Sequence, residues 1–242
     1  MKKHQKDRRK QSRKSKIALV ALCVIVLSAF STMTTLAYLT DRSSVSNTFT
    51  VGLVDIELDE AAVNKDGTLI YENDGVTPVE RVIQNEYHLI PGQTYIKDPT
   101  LKVVKNSEEC YVRLMVTINK YAELKEVFGD DFLPENYVQG WDSTLWPCAA
   151  VKADDTNNTV TYEFRYHESV KPNGNDDEVL DALFDTFKCP TELDNEDLAK
   201  LAGLEINVEG HAIQKASFTD INADGSTADE AWAAFDAQWQ SN

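Results

Sequence analysis

Alternation of apolar and polar residues with a period of two is the main pattern along this chain. In residues 110–118 one face carries Val112, Leu114, Val116 and Ile118, and the other carries Tyr111, Arg113, Met115 and Thr117. Two further runs alternate in the same way, with apolar faces formed by Val160, Tyr162, Phe164 and Tyr166 and by Leu204, Ile206 and Val208. A strand that buries one face and leaves the other in water has this pattern, so these runs predict half-buried antiparallel strands.

Residues 48–58 also alternate, but the parity of the apolar positions changes at Gly52. Phe49 and Val51 are in one phase, whereas Val54, Ile56 and Leu58 are in the other. One extra residue in a β-bulge, or a break between two strands, produces such a change. We therefore expect the chain to bend or break its strand pairing at Gly52.

Helical patterns are short and few. They begin near Tyr121, at Asp194 or Asn195 with Gly203 as the C-cap, and after Thr227 as the N-cap. The last one places Trp232, Phe235 and Trp239 on one face, which we interpret as core packing. Together with turn signals such as residues 65–67, these patterns predict a mostly β fold. The specific expectation is an antiparallel β-sandwich, jelly-roll-like, with a few short helices on its connections.

The N-terminus has the three parts of a secretory signal peptide. Nine basic residues lie within residues 1–16, residues 17–30 are mostly apolar, and the uncharged stretch continues to Ala37 through small and polar residues. This pattern predicts export with cleavage between Ala37 and Tyr38, leaving one secreted domain of residues 38–242. The alternative is an uncleaved membrane anchor, because 21 uncharged residues are long enough to span a bilayer.

Removal of the signal makes the remaining domain strongly acidic. The whole chain has 24 basic and 40 acidic residues, and residues 1–37 contain nine of the basic and one of the acidic ones. Residues 38–242 therefore carry 15 basic and 39 acidic side chains, a formal net charge of −24. Such a surface repels nucleic acid and anionic lipid, so no nucleic-acid partner is expected, and membrane contact is expected only through the signal.

The junction after the signal resembles the start of the TasA/camelysin family. The matching features are Ala37, Tyr38-Leu39, Asp41 and the stretch TFTVGLVDI at residues 48–56. Residues 90–118, with a P-G-x-x-x-x-K-D-P block followed by Y-V-R, resemble the middle of the family pattern. Residues 212–220 and 231–235 are similar to its closing segment.

This resemblance implies a secreted jelly-roll protein of the extracellular matrix that self-assembles into fibres of a Gram-positive biofilm. It also implies processing by a SipW-type signal peptidase, and assembly through the new N-terminus. Residues 38–51 would add as a strand to the next subunit, with Tyr38, Leu39, Val45 and Phe49 as apolar anchors. The alternative is that this segment forms an ordinary first strand within its own domain.

No residue pattern indicates catalysis. A zinc peptidase of the H-E-x-x-H type needs two histidines four residues apart, whereas His88, His167 and His211 are isolated. Cys110, Cys148 and Cys189 remain after the signal, so at most one internal disulfide can form, and Cys110 is expected to be a buried thiol. A secreted metallopeptidase, as one branch of the family is described, and a calcium-dependent adhesin or carbohydrate-binding module remain as alternative functions.

Calcium is the one cofactor that the sequence indicates. Residues 220–225 read D-x-N-x-D-G, the first half of an EF-hand-type loop. The expected ligands are Asp220, Asn222, Asp224 and the carbonyl of Ser226. The bidentate acid that should follow at position 12 is Ala231 instead, and a polar turn before the last helix explains the same residues.

Overall fold

The alternating runs form antiparallel sheets in the computed structural model, which describes residues 40–44, 47–49, 54–129, 134–218 and 227–239. The strands are β1 (Thr40–Ser44), β2 (Asn47–Phe49), β3 (Ile56–Asp59), β4 (Thr94–Ile96), β5 (Thr100–Val103), β6 (Cys110–Asn119), β7 (Val138–Gln139), β8 (Cys148–Asp154), β9 (Thr159–Arg165), β10 (Glu178–Val179), β11 (Thr186–Lys188) and β12 (Ile206–Gln214). The helices are α1 (Tyr121–Phe128), α2 (Asn195–Lys200) and α3 (Thr227–Trp239), and short 3₁₀ turns occupy Pro134–Asn136 and Lys215–Ser217.

Within the described residues the strands form one six-stranded and two three-stranded sheets. The large sheet has the order β2-β1-β12-β6-β9-β8, and the small ones have the orders β10-β5-β3 and β4-β11-β7. Every named pairing is antiparallel. The predicted class, mostly β with antiparallel sheets and a few short helices, is confirmed, and the arrangement is that of a β-sandwich. The jelly-roll connectivity stays a prediction.

The main core lies between the six-stranded sheet and the sheet of β3, β5 and β10. From the large sheet it receives the predicted apolar faces of β6, β9 and β12, and from the small one Val54, Ile56, Leu58, Leu101 and Val103. Period two places alternate side chains on one face of a strand, so the parity read from the sequence is sufficient to identify these positions. Full burial of each such aliphatic side chain stabilises the fold by about 1.5–3 kcal/mol.

Helix α3 covers part of the opposite face of the large sheet. Trp232 and Phe235 are about 1% exposed and form a second core with Tyr111 and Ile213. The interpretation of Trp232 and Phe235 as core residues is therefore confirmed, whereas the side chain of Trp239 lies outside the described residues. Because α3 covers this face, the beginning of β6 is buried on both sides and not on one side only, as the alternation predicted.

Two helix ends differ from the prediction, by one and by two residues. Asp194 is the N-cap of α2, and its carboxylate accepts hydrogen bonds from the backbone N–H groups of Glu196 and Asp197. The prediction that Gly203 is the C-cap was wrong: Leu201 caps α2, and Gly203 lies in the turn that follows with a φ of +79°. Helix α3 begins at Thr227 itself, one residue before the predicted start.

In the part of the chain that the structure describes, no helix combines the length and apolar character needed to cross a membrane. Gly52, where the strand phase changes, lies outside the described residues, as do Ala37 and the rest of the predicted signal. The signal, its cleavage and the break at Gly52 therefore stay predictions.

Candidate functional site

The predicted assembly segment contains the strand that borders β12. Strand β1 pairs with β12 over five residue pairs, from Thr40 opposite Ile213 to Ser44 opposite Glu209. Strand β2 folds back and pairs with the outer side of β1. Residues 40–44 are thus paired within their own domain, which is the ordinary arrangement that the sequence left open. Exchange of this strand between chains stays a prediction.

Of the predicted anchors, Tyr38, Leu39 and Val45 lie outside the described residues, and Phe49 ends β2 opposite Arg42. The other side of β12 is occupied by β6 over nine residue pairs. Residues 209–213 of β12 are therefore bordered on both sides only while β1 is in place.

The predicted calcium ligands Asp220, Asn222, Asp224 and Ser226 lie outside the described residues, between the 3₁₀ turn ending at Ser217 and α3. Calcium binding there stays a prediction. Elsewhere in the described ranges, no group of three or more His, Cys, Asp and Glu side chains is placed to hold a metal ion.

The three histidines occupy separate elements. His88 and His167 are exposed, whereas His211 is 5% exposed within β12. Nδ1 of His211 accepts a hydrogen bond of 3.1 Å from Nε of Arg113, and its ring stacks on Phe235 at 4.9 Å. His211 therefore belongs to the packing of α3 on the sheet.

Arg113 is the centre of that packing. It is 3% exposed, and its guanidinium lies 4.5 Å from the ring centre of Trp232. Nη1 donates to Oε1 of Glu163 at 3.2 Å, and Nη2 donates to Oδ1 of Asp236 at 2.5 Å. One buried cation thus joins the neighbouring strand β9 to helix α3.

A second buried ionic cluster lies around Lys97 and Glu60. They are 7% and 6% exposed, and Nζ of Lys97 lies 2.6 Å from Oε2 of Glu60. The other carboxylate oxygen, Oε1, accepts a hydrogen bond of 2.9 Å from Nδ2 of Asn85. The carboxamide is fixed further, because Nδ2 donates to the carbonyl of Ala61 at 2.8 Å and Oδ1 accepts from the N–H of Val63 at 3.0 Å.

Backbone pairing brings the three side chains of this cluster together. Glu60 and Val82 exchange two backbone hydrogen bonds of 2.8 Å, which fixes Glu60 beside the segment that contains Asn85. Lys97 follows β4, and its N–H donates to the carbonyl of Asp185. The N–H of Ala61 donates to the carboxylate of Asp98 at 2.7 Å, which ties the two backbones to each other.

Aromatic rings pack beside the cluster. The ring centre of Tyr87 lies 5.8 Å from Nζ of Lys97 and 5.9 Å from the ring centre of Tyr95. The ring of Tyr95 in turn stacks on that of Phe187, with 4.8 Å between the ring centres. Burial, together with the carboxylate of Glu60, raises the pKa of Tyr87 well above its ordinary value. Gly67 permits this packing, since a Cβ there would lie 2.6 Å from Cα of Tyr95.

A cavity of about 1190 Å³ borders the cluster. Its lining includes Glu60, Asn85 and Lys97 on one side and apolar residues of β6, β9 and α1 on others. The cluster therefore combines desolvated charges with an opening next to them. No sequence pattern predicts these residues as a site, although Lys97 belongs to the K-D-P block at residues 97–99.

All three cysteines of the described part of the chain are free thiols. Cys110 and Cys189 are buried and Cys148 is exposed, and burial raises the pKa of Cys110 to about 12. The expectation of a buried thiol at Cys110 is confirmed.

Comparison of this chain with protein-family models, with curated proteins and with solved structures gives no match.

Proposed function

We propose that this chain is a secreted, non-enzymatic structural protein of the cell surface or biofilm matrix that assembles into or decorates fibres. The observation that supports this most directly is the place of β1 along β12. The same strand from a second copy has the same sequence and offers β12 the same five residue pairs. Exchange between copies therefore replaces each backbone hydrogen bond with an identical one.

The sequence of β1 favours exchange. Residues 40–44 read TDRSS and contain no apolar residue, whereas the proposed anchors flank them on both sides. Main-chain pairing then makes the largest contribution to holding β1, and its departure removes no apolar residue of its own from the core. When each copy gives its strand to the next, the contact is head-to-tail, and a head-to-tail contact that does not close produces a filament.

Export comes first in this proposal. A SipW-type signal peptidase cleaves after Ala37, and assembly uses the N-terminus that begins at Tyr38. Intact-mass measurement and N-terminal sequencing of the secreted protein test this step. A mature protein that retains residues 17–30 would instead support the membrane-anchor alternative.

Two variants test the assembly step: one obstructs the insertion of the N-terminal strand into a second copy, and the other removes β1 and leaves its place beside β12 empty. A ten-residue extension ahead of Tyr38 should prevent fibres in electron microscopy, and the same extension after Asn242 is the matched control. Deletion of residues 38–46 should leave a folded monomer that binds a synthetic peptide of residues 38–51, whereas the intact monomer should bind it far less. Fibres formed by the deletion variant, or loss of its fold, would contradict the strand-exchange proposal.

The absence of peptidase activity is part of the same proposal. Purified protein should not cleave casein, with or without added zinc. Cleavage that is inhibited by a chelator and lost on substitution of His88, His167 or His211 would overturn it and favour the metallopeptidase alternative.

A further inference from the structure

The cluster of Glu60, Asn85 and Lys97 contains the groups needed to join two side chains covalently. It holds an amine, a carboxamide and a carboxylate that contacts both. We propose that Nζ of Lys97 and Cγ of Asn85 become linked by an intramolecular isopeptide bond, formed by the folded chain itself with Glu60 as the catalytic residue. This inference is independent of how the N-terminal strand assembles.

Proximity is the first requirement for this reaction, and the fold supplies it. Lys97 and Asn85 are bound to the two oxygens of the same carboxylate, at 2.6 Å and 2.9 Å. In water an amine and an amide do not condense at a useful rate. Groups held together inside a protein react as if at effective concentrations of about 10⁵–10⁸ M. The attack requires Nζ to leave Oε2 of Glu60 and approach Cγ of Asn85, whose nitrogen is held by the other oxygen of the same carboxylate.

Glu60 moves the protons. The ammonium of Lys97 must lose a proton before it can attack, and Oε2 of Glu60 is its hydrogen-bond partner. The departing nitrogen, Nδ2 of Asn85, must gain a proton, and it already contacts Oε1 of the same carboxylate. Glu60 can therefore accept a proton at one oxygen and deliver a proton from the other.

The carbonyl of Asn85 is polarised in the direction that the reaction needs. Its Oδ1 accepts a 3.0 Å hydrogen bond from the backbone N–H of Val63, which would stabilise the negative charge that develops on this oxygen during attack. The low exposure of Glu60 and Lys97 and the neighbouring ring of Tyr87 reduce competition from water.

The reaction balances without an oxidant or a cofactor. The amine attacks Cγ and forms a new C–N bond, the second proton of the attacking nitrogen passes through Glu60 to Nδ2, and the tetrahedral intermediate collapses as the bond from Cγ to Nδ2 breaks. The products are a secondary amide between Lys97 and Asn85 and one ammonia, which takes up the proton that the Lys97 ammonium released. The adjoining cavity gives the ammonia a way out.

Peptide mapping of the purified full chain tests the proposal. Trypsin does not cleave after an acylated lysine, so the linked chain should give one peptide of residues 82–102, lighter by one ammonia. The unlinked chain should give separate peptides of residues 82–97 and 98–102. Further cleavage after Glu86 should leave two peptides that remain joined through Asn85 and Lys97 in tandem mass spectra.

Three variants assign the roles. Lys97→Arg keeps the positive charge but removes the nucleophile, and Glu60→Gln keeps the shape but removes the proton acceptor; both should give only unlinked peptides. Asn85→Asp should still form the link, now with loss of one water. Circular dichroism establishes whether each variant is folded, and the wild-type peptide map remains decisive if one is not.

The outcomes that overturn the proposal are distinct. A folded wild-type chain that gives only the unlinked peptides shows that Lys97 and Glu60 form an ion pair and nothing more. Loss of ammonia that persists in Lys97→Arg shows a cyclic imide at Asn85 instead of a link. Full linkage in folded Glu60→Gln removes the catalytic role assigned to Glu60.

Discussion

The two carboxylates that contact Arg113 provide a test of whether burial or distance sets the strength of an ion pair in this fold. Asp236 is closer, at 2.5 Å against 3.2 Å for Glu163, but its side chain is 45% exposed and that of Glu163 only 12%. We predict that Arg113 is coupled more strongly to Glu163 than to Asp236. Double-mutant cycles of Arg113→Met with Glu163→Gln and with Asp236→Asn measure the two couplings.

The magnitudes follow from the contacts. Removal of one partner of a fully buried ion pair costs about 3–5 kcal/mol. Here Arg165 remains 2.7 Å from Glu163 and keeps that carboxylate paired, so we expect a coupling of about 1–2 kcal/mol. The coupling to the exposed Asp236 should be below about 0.5 kcal/mol. Arg113→Met also loses the contact with Trp232, about 1 kcal/mol or more, but this loss cancels within each cycle.

Urea unfolding followed by tryptophan fluorescence and far-UV circular dichroism is a suitable assay, since Trp146 and Trp232 report on the two cores and the dichroism on the sheets. Arg165→Met with Asp229→Asn is the matched control: their contact is short, but Asp229 is 71% exposed, so the coupling should be near zero. A coupling to Asp236 that equals or exceeds the one to Glu163 would refute the reasoning from burial.

Three further predictions concern titration, thiol reactivity and calcium. Hydrogen bonds from the hydroxyl and N–H of Thr77 lower the pKa of Asp74 from its ordinary value of 3.8 to about 2. The ionised carboxylate therefore stabilises this turn at any pH above 3.8, and the stabilisation is lost as the pH falls through about 2. The NMR titration midpoint of Asp74 should rise towards 3.8 in Thr77→Val, and an unchanged midpoint would contradict the assignment. A disulfide reagent should label Cys148 in the folded protein and Cys110 only after unfolding, because Cys110 is buried and its burial raises its pKa to about 12. Rapid labelling of Cys110 in the folded protein would show that the core around this thiol opens to solvent. Millimolar calcium should raise the melting temperature relative to EDTA. At a hundredfold excess over Kd, calcium bound only to the folded state adds about 2.7 kcal/mol to the free energy of unfolding. Asp224→Ala should abolish the shift in melting temperature.

The strand core could be predicted from the sequence because its signal is local. Side chains at Val112 and Leu114 point the same way in any β-strand, and the core needs only that parity to be correct. The burial of Arg113 could not be predicted, since the residue that covers it, Trp232, is on a helix more than a hundred residues later. Alternation shows which face a side chain takes and contains no information about a distant element that closes over that face.

The cluster around Lys97 was missed for a related reason. Charged and amide residues in stretches without periodicity are usually solvated, so Glu60, Asn85 and Lys97 have the sequence character of surface residues. Their burial depends on the bridge between Glu60 and Val82 and on the pairing of β4 with β11, both of which join distant parts of the chain. The one available signal was the position of Lys97 within the block at residues 90–118.

The pairing of β1 with β12 has a consequence for the order of events during synthesis. About 160 residues separate the end of β1 from the start of β12, and a ribosome adds about 5–20 residues per second. Strand β1 therefore exists for roughly 10–30 s before its partner in the same chain has been made. The order along the chain therefore makes the pairing of β1 with β12 a late step of folding, which cannot begin before nearly all of the domain has been made.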